Sequence, residues 1–415
     1  NTTGYSNVAV GKDAMLTNIG GHSNSAFGAA ALEDNVSGNT NTAIGNVALR
    51  CNTTGSNHVA VGCGALNRNT TGGDNSAVGT QSLFSNTTGF RNTAMGFGAM
   101  FNSTTSSNNT AVGYAASSAI TTGACNIAIG ANSLDANSTG SSNTAVGAGA
   151  LTTNTTASQN TAVGLNAMNK NTTGASNVGL GVLALACNTT ASENTAVGEK
   201  ALWKNTTGGC NTASGFQALS TATTGGGNAS HGWRSLYLST TGFDNTAVGF
   251  QSGYNITTGN SNTAIGFRSS CNLTTGSNNI ALGNNAGTDA VGNMVTTNNF
   301  IIIGNNSHTN AKIKIDWTVT SDLRDKTNFE DIPHGLDFVN KLKPVKFNFK
   351  KSREDDTPHG NARYGFKAQD ILALEGDNPI IIDNTDTEHL GYTAGNMLPV
   401  LVNAIKELKA EIELL

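Results

Sequence analysis

Two apolar positions and one glycine recur every seventeen residues from Gly11 to Gly283, and polar residues fill most of the sites between them. The residue before the glycine is Val, Ile, Leu, Met or Phe except at Ser214 and His231, and the residue four after it is Leu or Met in most repeats. Two places before the glycine stands Ala, replaced only by Gly179 and Ser230, and three places after it stands only Ala or Ser. A unit of this length with two glycine punctuations cannot hold a helix of ordinary size, but it fits two short strands and two tight turns. So strict a period makes each unit one coil of a stacked structure, here a parallel β-solenoid. The two apolar columns are expected to form its core ladder, and the small columns to mark close approach of backbones, either across a thin coil or between chains. Sixteen steps at about 4.8 Å give a rod of roughly 77 Å.

Asn lies four before the glycine in every repeat but one, where His58 stands in. Stacked in register, such a column forms an amide ladder that satisfies turn backbone groups. A ligand site needs one asparagine in one place, so one per coil reads as scaffold. Many are also Asn-Thr-Thr sequons, as at Asn52, Asn69 and Asn171, which would carry glycans only in a chain that passes through a secretory pathway. The Thr columns that follow Asn read as weakening after about Gly215, where Ala222, Ile256 and Leu273 take the Asn place. That decay argues against a lattice-binding Thr face.

Composition divides the chain near residue 305. Residues 1–304 hold nine Lys/Arg and nine Asp/Glu, the remaining 111 hold fourteen and eighteen, and Pro333, Pro344, Pro358, Pro379 and Pro399 all lie in the second part. Three regions follow: a rod over 1–290, a cap and neck over 291–320, and a terminal domain over 321–415. After Gly283 the beat breaks, and Phe300 to Ile303 before Gly304 reads as an inserted last coil or cap. Lys312 to Trp317 alternates as a strand leaving the rod. The net charge of -4 without a basic run argues against nucleic acid as the partner, and no apolar run reaches the roughly 20 residues that cross a bilayer. Asn1 falls in mid-repeat, so the sequence reads as starting inside a longer array. Cys51, Cys63, Cys125, Cys187, Cys210 and Cys271 all lie in the rod. Those sharing a column, Cys125 with Cys210 and Cys51 with Cys187, would stand roughly 24 Å and 38 Å apart, beyond disulfide reach. Free thiols are expected within a chain. Neither the cysteines nor the seven histidines show metal-ligand spacing, so no metal and no cofactor is expected.

Asn-x-Ala-Val/Ile-Gly-x-x-Ala/Ser, as in Asn262 to Ser269, resembles the head repeat of trimeric autotransporter adhesins of the YadA type. The resemblance covers residues 1 to about 290, with a coil longer than that family's usual one, and implies a left-handed parallel β-roll with three chains packed together. Thin coils rich in Ala, Ser and Thr bury little apolar area each, which agrees with rods packed side by side.

Ser321-Asp322-Leu323-Arg324-Asp325-Lys326, then Leu342 to Phe347, then Tyr364 to Asp370 together resemble the intramolecular chaperone of endosialidase, the S74 peptidase domain. The resemblance runs from Ser321 to Leu415. It implies an α+β domain at the end of a viral tail spike or fibre, which drives trimerisation and folding and then cuts itself off through a Ser/Lys dyad. The residues matching that dyad are Ser321 and Lys326, with Asp322 and Arg324 as supporting motif residues. Gly365 and Gln369 belong to a structural block, a core strand leading to a helix. The chemistry is coherent, because a serine hydroxyl needs a base and a lysine serves only when burial or charge lowers its pKa. The scissile bond would be Thr320-Ser321, cut once per chain, making the protein a single-turnover autoproteolytic peptidase with no external substrate.

Near the C-terminus, Pro399 suits the first turn of a helix, and Leu401, Ile405, Leu408, Ile412 and Leu415 follow at heptad spacing. Ile and Leu in this alternation favour two strands by themselves, whereas the resemblance implies a homotrimer. The expectation is a mainly β homotrimer: a solenoid of a virion tail fibre whose partner is a host-cell receptor, either a glycan or a surface protein. The alternative is a cell-surface adhesin, or a solenoid binding a repetitive ligand such as polysaccharide or ice.

Overall fold

The computed structural model describes residues 2–289, 292–309, 321–350, 353–385, 387–388 and 390–414. Packing divides the chain into two units, Asn1–Gly287 with Met294–Ile303, and Thr288–Asn293 with Gly304–Leu415.

In the first unit each coil gives one strand of three residues, from Val8–Val10 to Ile280–Leu282. Neighbouring strands pair in parallel with equivalent columns side by side: Ala162 lies between Ala145 and Gly179, and Val163 between Val146 and Leu180. Ile301–Ile303 adds an eighteenth strand beside Ile280–Leu282, so the inserted last coil still closes onto the rod.

The second strand expected in each coil does not form. After the marker glycine the backbone turns left-handed at the second and fourth residues, as at Asn166 (φ 52) and Met168 (φ 52), and again at Ser176 (φ 58). A chain that returns repeatedly to this region cannot run extended, so the long half of the coil is a succession of turns. Each such non-glycine residue costs about 1–2 kcal/mol. At the fourth position the cost is offset by burial, since Leu151, Met168 and Leu185 are completely covered and a side chain of this size contributes about 1.5–3 kcal/mol when buried.

Only one of the two expected apolar columns is core. Alternate residues of a strand face opposite sides, and the small residue in the middle faces in: Ala145 and Ala162 are fully buried. The residue before the glycine therefore faces out, with Val10 56% and Met95 48% exposed. The interior consists of the small residue two before the glycine, the Ala or Ser three after it and the Leu or Met four after it, which makes the small columns the place where opposite sides of one thin coil meet. Outside them runs a stripe of Val, Ile, Leu, Met and Phe along the strand face, interrupted at Ser214 and His231.

Two amide ladders fill the rest of the interior. Four before the glycine, each Asn accepts the next coil's backbone N–H and donates to a carbonyl on its own turn, as Asn24 accepts from Asn41 at 2.9 Å and donates to Gly38 at 2.9 Å. Seven after it, amides chain side by side: Asn52 donates to Asn35 and Asn69 to Asn52, each at 2.8 Å. The sequon residues Asn52, Asn69 and Asn171 lie in this second ladder, wholly buried with their amides donating, so these three offer no acceptor for a glycan once the coil is folded. The ladder is interrupted where Ser103 and Ala222 follow Asn86 and Asn205, and those two side-chain oxygens are left without donors.

The Thr pairs that follow this ladder do not decay. What changes at Ala222, Ile256 and Leu273 is the buried position, whereas the Thr after next is present and exposed in every coil from Thr54 to Thr275. The first Thr of each pair is tied down, as Thr53 donates to the Thr70 carbonyl at 3.0 Å and Thr257 to that of Thr274 at 3.1 Å. The six cysteines are all free.

In the second unit helix α1 (Leu336–Lys341) precedes an antiparallel hairpin, Val345–Lys350 with Pro358–Gly365, and helix α2 (Ala368–Glu375). A two-residue ladder, Ile382–Asp383 with Gly391–Tyr392, leads to helix α3 (Ala394–Glu413). Phe338, Ile371, Ile381, Ile382, Met397 and Val400 form the core. Glu375 draws the chain after α2 onto itself, its carboxylate accepting from the backbone of Ile380, Ile381 and Ile382. Pro399 does not start the last helix but lies inside it, because the helix begins at Ala394; its missing N–H is absorbed within the helix at the cost of one backbone hydrogen bond. The face holding Met397, Val400 and Ala404 is buried, while Leu401, Ile405, Leu408 and Ile412 are exposed. Leu415, and the strand expected over Lys312 to Trp317, lie outside the described residues.

His58 gives the rod one titratable rung. Its Nδ1 accepts the Asn75 N–H at 3.2 Å, and its Nε2 lies 2.7 Å from the Gly72 carbonyl, so the ring is held neutral with its proton on Nε2. Burial pushes its pKa below the ordinary 6.5, against the Gly72 carbonyl and nearby Asp74, which raise it. A histidine with a depressed folded pKa stabilises above the unfolded value and loses that stability as pH falls below about 6.5 towards the folded one. Thermal melts between pH 7 and pH 5 should therefore show a smaller drop for His58→Asn than for the parent; equal drops would remove His58 as a source of acid sensitivity.

Candidate functional site

The segment from Ser321 to Lys326 builds its own geometry. Leu323–Asp325 forms one turn of 3-10 helix, capped by Asp322, whose carboxylate accepts the Arg324 N–H at 2.9 Å. The same carboxylate takes the Arg324 guanidinium at 2.6 Å, a charge-assisted pair that holds the Asp322 carboxyl below the usual carboxylate range. At the far end the Lys326 N–H closes on the Leu323 carbonyl at 3.2 Å. This turn reverses the chain within five residues and brings the Lys326 ammonium within 2.6 Å of the Ser321 hydroxyl, to which it donates.

Both Ser321 and Lys326 are exposed, as is Arg324, while Asp322 is half-buried. Exposed ion pairs contribute little to stability; the use of this one is conformational, because both groups belong to the turn itself. Thr320, the residue expected on the other side of the scissile bond, lies outside the described residues.

Gly365 and Gln369 stand elsewhere in the unit. Gly365 ends the second hairpin strand, where an added Cβ would come within 3.0 Å of the Phe347 ring, and Gln369 lies in the first turn of α2. Among the described residues no hydrogen bond joins either to Ser321 or Lys326, in keeping with a strand leading into a helix. The tie between α1 and α3 escaped the sequence reading: Glu407 accepts the Leu336 N–H at 2.6 Å, and Asn403 donates to the His334 carbonyl at 3.1 Å. Its partners lie about seventy residues apart, and Glu407 reads in sequence as one more charge on a wetted helix face.

Fold and site together define a parallel β-solenoid and an α+β terminal unit, with a Ser–Lys pair on the turn from Ser321 to Lys326 in that unit. Residues 321–378 match the family model described as chaperone of endosialidase, peptidase S74. No curated protein matches the chain, and no solved structure does. Among the described residues no three His, Cys, Asp or Glu side chains are grouped to hold a metal, and no helix is long and apolar enough to cross a membrane.

Proposed function

We propose that this is the distal part of a viral tail fibre or spike, in which the C-terminal unit aligns three chains, lets the solenoids fold, and then cuts the bond before Ser321. The observation that carries the reading is the 2.6 Å contact between Lys326 and Ser321 within the segment matched to the chaperone family. In the reaction the Ser321 oxygen attacks the Thr320 carbonyl carbon while Lys326 takes the hydroxyl proton. The carbon–nitrogen bond breaks, the departing Ser321 amine receives that proton, and an ester remains between Thr320 and the Ser321 oxygen. Water then hydrolyses the ester, restoring the hydroxyl and freeing the segment that begins at Ser321. The nucleophile belongs to the bond it cuts, so each chain reacts once.

A lysine acts as a base only after burial or neighbouring positive charge disfavours its ammonium form. In a single protomer this turn is open to water. Packing of neighbouring protomers over it would supply the burial, and would make cutting follow assembly. Two surfaces support assembly: the apolar stripe along the strand face and the exposed row Leu401, Ile405, Leu408 and Ile412 on α3. Apolar surface left in contact with water over many coils is a feature of interfaces. The freed rod would serve in host attachment.

Ser321→Ala and Lys326→Ala should each leave a full-length chain on a denaturing gel, where the parent yields a rod and a small fragment. Cleavage that persists in Ser321→Ala would overturn the mechanism. Ile405→Glu with Leu408→Glu should abolish the trimer in sedimentation and, with it, cutting; a cut monomer would separate the two events and remove the assembly requirement.

One observation favours a second reading. The exposed Thr column from Thr54 to Thr275 is unbroken, as a solenoid that lies on a regular polysaccharide or on ice would require. Replacing Thr139, Thr156 and Thr173 by Lys should then abolish ice shaping or adsorption to crystalline polysaccharide, and a parent that shows neither activity excludes this reading.

A further inference from the structure

The rod is not chemically uniform. Its aromatic residues are absent between Tyr114 and Trp203 and then crowd between Trp203 and Phe267. In the column just after the marker glycine, Phe216, Trp233, Phe250 and Phe267 stack on one another from coil to coil, with centroids 6.2, 4.7 and 5.3 Å apart and ring planes within 15° of parallel. Four columns along, Tyr237 stacks on Tyr254 at 5.3 Å. Between these two ribs the column two after the glycine reads Lys200, Gln217, Arg234, Gln251, Arg268, with a cation in every second coil, whereas no Lys or Arg occupies that column earlier in the rod.

Arg234 is held in place before any ligand arrives. Its guanidinium lies over the Trp233 ring at 4.4 Å and the Tyr237 ring at 5.2 Å, and its Nε donates to the Gln217 side-chain oxygen at 2.7 Å. Those contacts fix the plane of the fork and use one of its five donors, leaving the two terminal nitrogens to meet a carboxylate edge-on. Among the described residues no acidic side chain pairs with Arg234 or Arg268; Lys200 has Glu199 at 3.4 Å. On the neighbouring strand face the apolar stripe is interrupted in these same coils by Ser214 and His231, so the surface beside the arginines is polar.

We infer that this stripe is a binding site for an acidic polysaccharide, with Arg234 and Arg268 as the carboxylate-binding residues and Gln217 and Gln251 hydrogen-bonding the sugars between them. The inference rests on the reading of the rod as the attachment part and names the receptor chemistry. Cations two coils apart stand about 9.6 Å from each other along the rod, a spacing on the scale of a disaccharide repeat. A nucleic acid fits less well: its charges recur about every 3.4 Å of helix axis along one strand, and single strands bind by stacking bases on open ring faces. Here both faces of Trp233 and Phe250 are covered by their stacked neighbours, so that along the middle of the rib only ring edges remain. The rings act on the ligand indirectly, by keeping the guanidinium flat and aimed.

The test is calorimetric titration of the full-length protein with polygalacturonate, with dextran and oligothymidylate as comparison ligands. The parent is expected to bind polygalacturonate, more weakly at high salt. Arg234→Ala with Arg268→Ala should cut affinity at least tenfold while leaving the melting temperature in place, Arg234→Lys should fail to restore it because it lacks the fork, and Arg68→Ala, in the other aromatic zone, should bind like the parent. Absence of polygalacturonate binding, equal binding of dextran or oligothymidylate, or an equal loss in Arg68→Ala would overturn the site. If the rod adheres to cell surfaces but not to polygalacturonate, the site falls and the attachment reading stands. If binding depends on Arg234 while adhesion does not require the rod, the attachment reading falls and the site stands.

Discussion

Every coil turns at a glycine whose missing side chain is replaced in space by the coil above. At Gly164 the backbone takes φ +134, and an added Cβ would lie 2.5 Å from the carbonyl oxygen of Gly181. Both facts exclude every other residue, and they are properties of stacking, not of one coil. The period is therefore fixed by contact between coils, which is why it holds without a slip through the whole array. The strand, the left-handed turns and the two amide ladders all take their register from that corner. Backbone groups bond from coil to coil at each step, so the ladders inside the coil are what remains to be satisfied, and the planar Asn carboxamide both donates and accepts there.

A coil locked in this way is thin. Its interior holds one large side chain, two small ones and two amides, and the chain's most apolar column faces outward. The solenoid is thus complete as a hydrogen-bonded object and incomplete as a hydrophobic one. The same imbalance recurs in the C-terminal unit, where α3 buries Met397, Val400 and Ala404 and exposes the row from Leu401 to Ile412. A regular array also has many nearly equivalent ways to pair, and one coil of offset between chains costs little. On the function proposed above, a C-terminal unit that aligned the chains would answer that hazard, and the Ser321–Lys326 pair would allow its release.

Much of this could be read from the residues. The glycine beat gave the solenoid, the Asn column gave the ladder, and Ser321 with Lys326 gave a site whose two side chains do meet, because a reversal within five residues is a local matter. Gly365 and Gln369 were legible as scaffold for the same reason: strand end and helix start are local. Less legible were contacts whose partners lie far apart, such as Glu407 with Leu336, or whose meaning depends on a ring stacked one coil away, such as Arg234 between Trp233 and Tyr237.

The sequence by itself determined the period, the in-register parallel stacking that follows from it, and the local turn at Ser321, since each depends on spacing along the chain; that each coil gives one strand and not two came from the left-handed turns of the folded backbone. Only the tertiary structure decided which apolar column is inside. Val before the glycine and Leu four after it look equally apolar as letters, and the inward Ala between two outward neighbours fixes the first outside, because a three-residue strand has room for only one face. The same holds for Thr and Asn: adjacent in sequence and alike in polarity, one is sealed in a ladder and the other stands in water, and only the path of the backbone separates them.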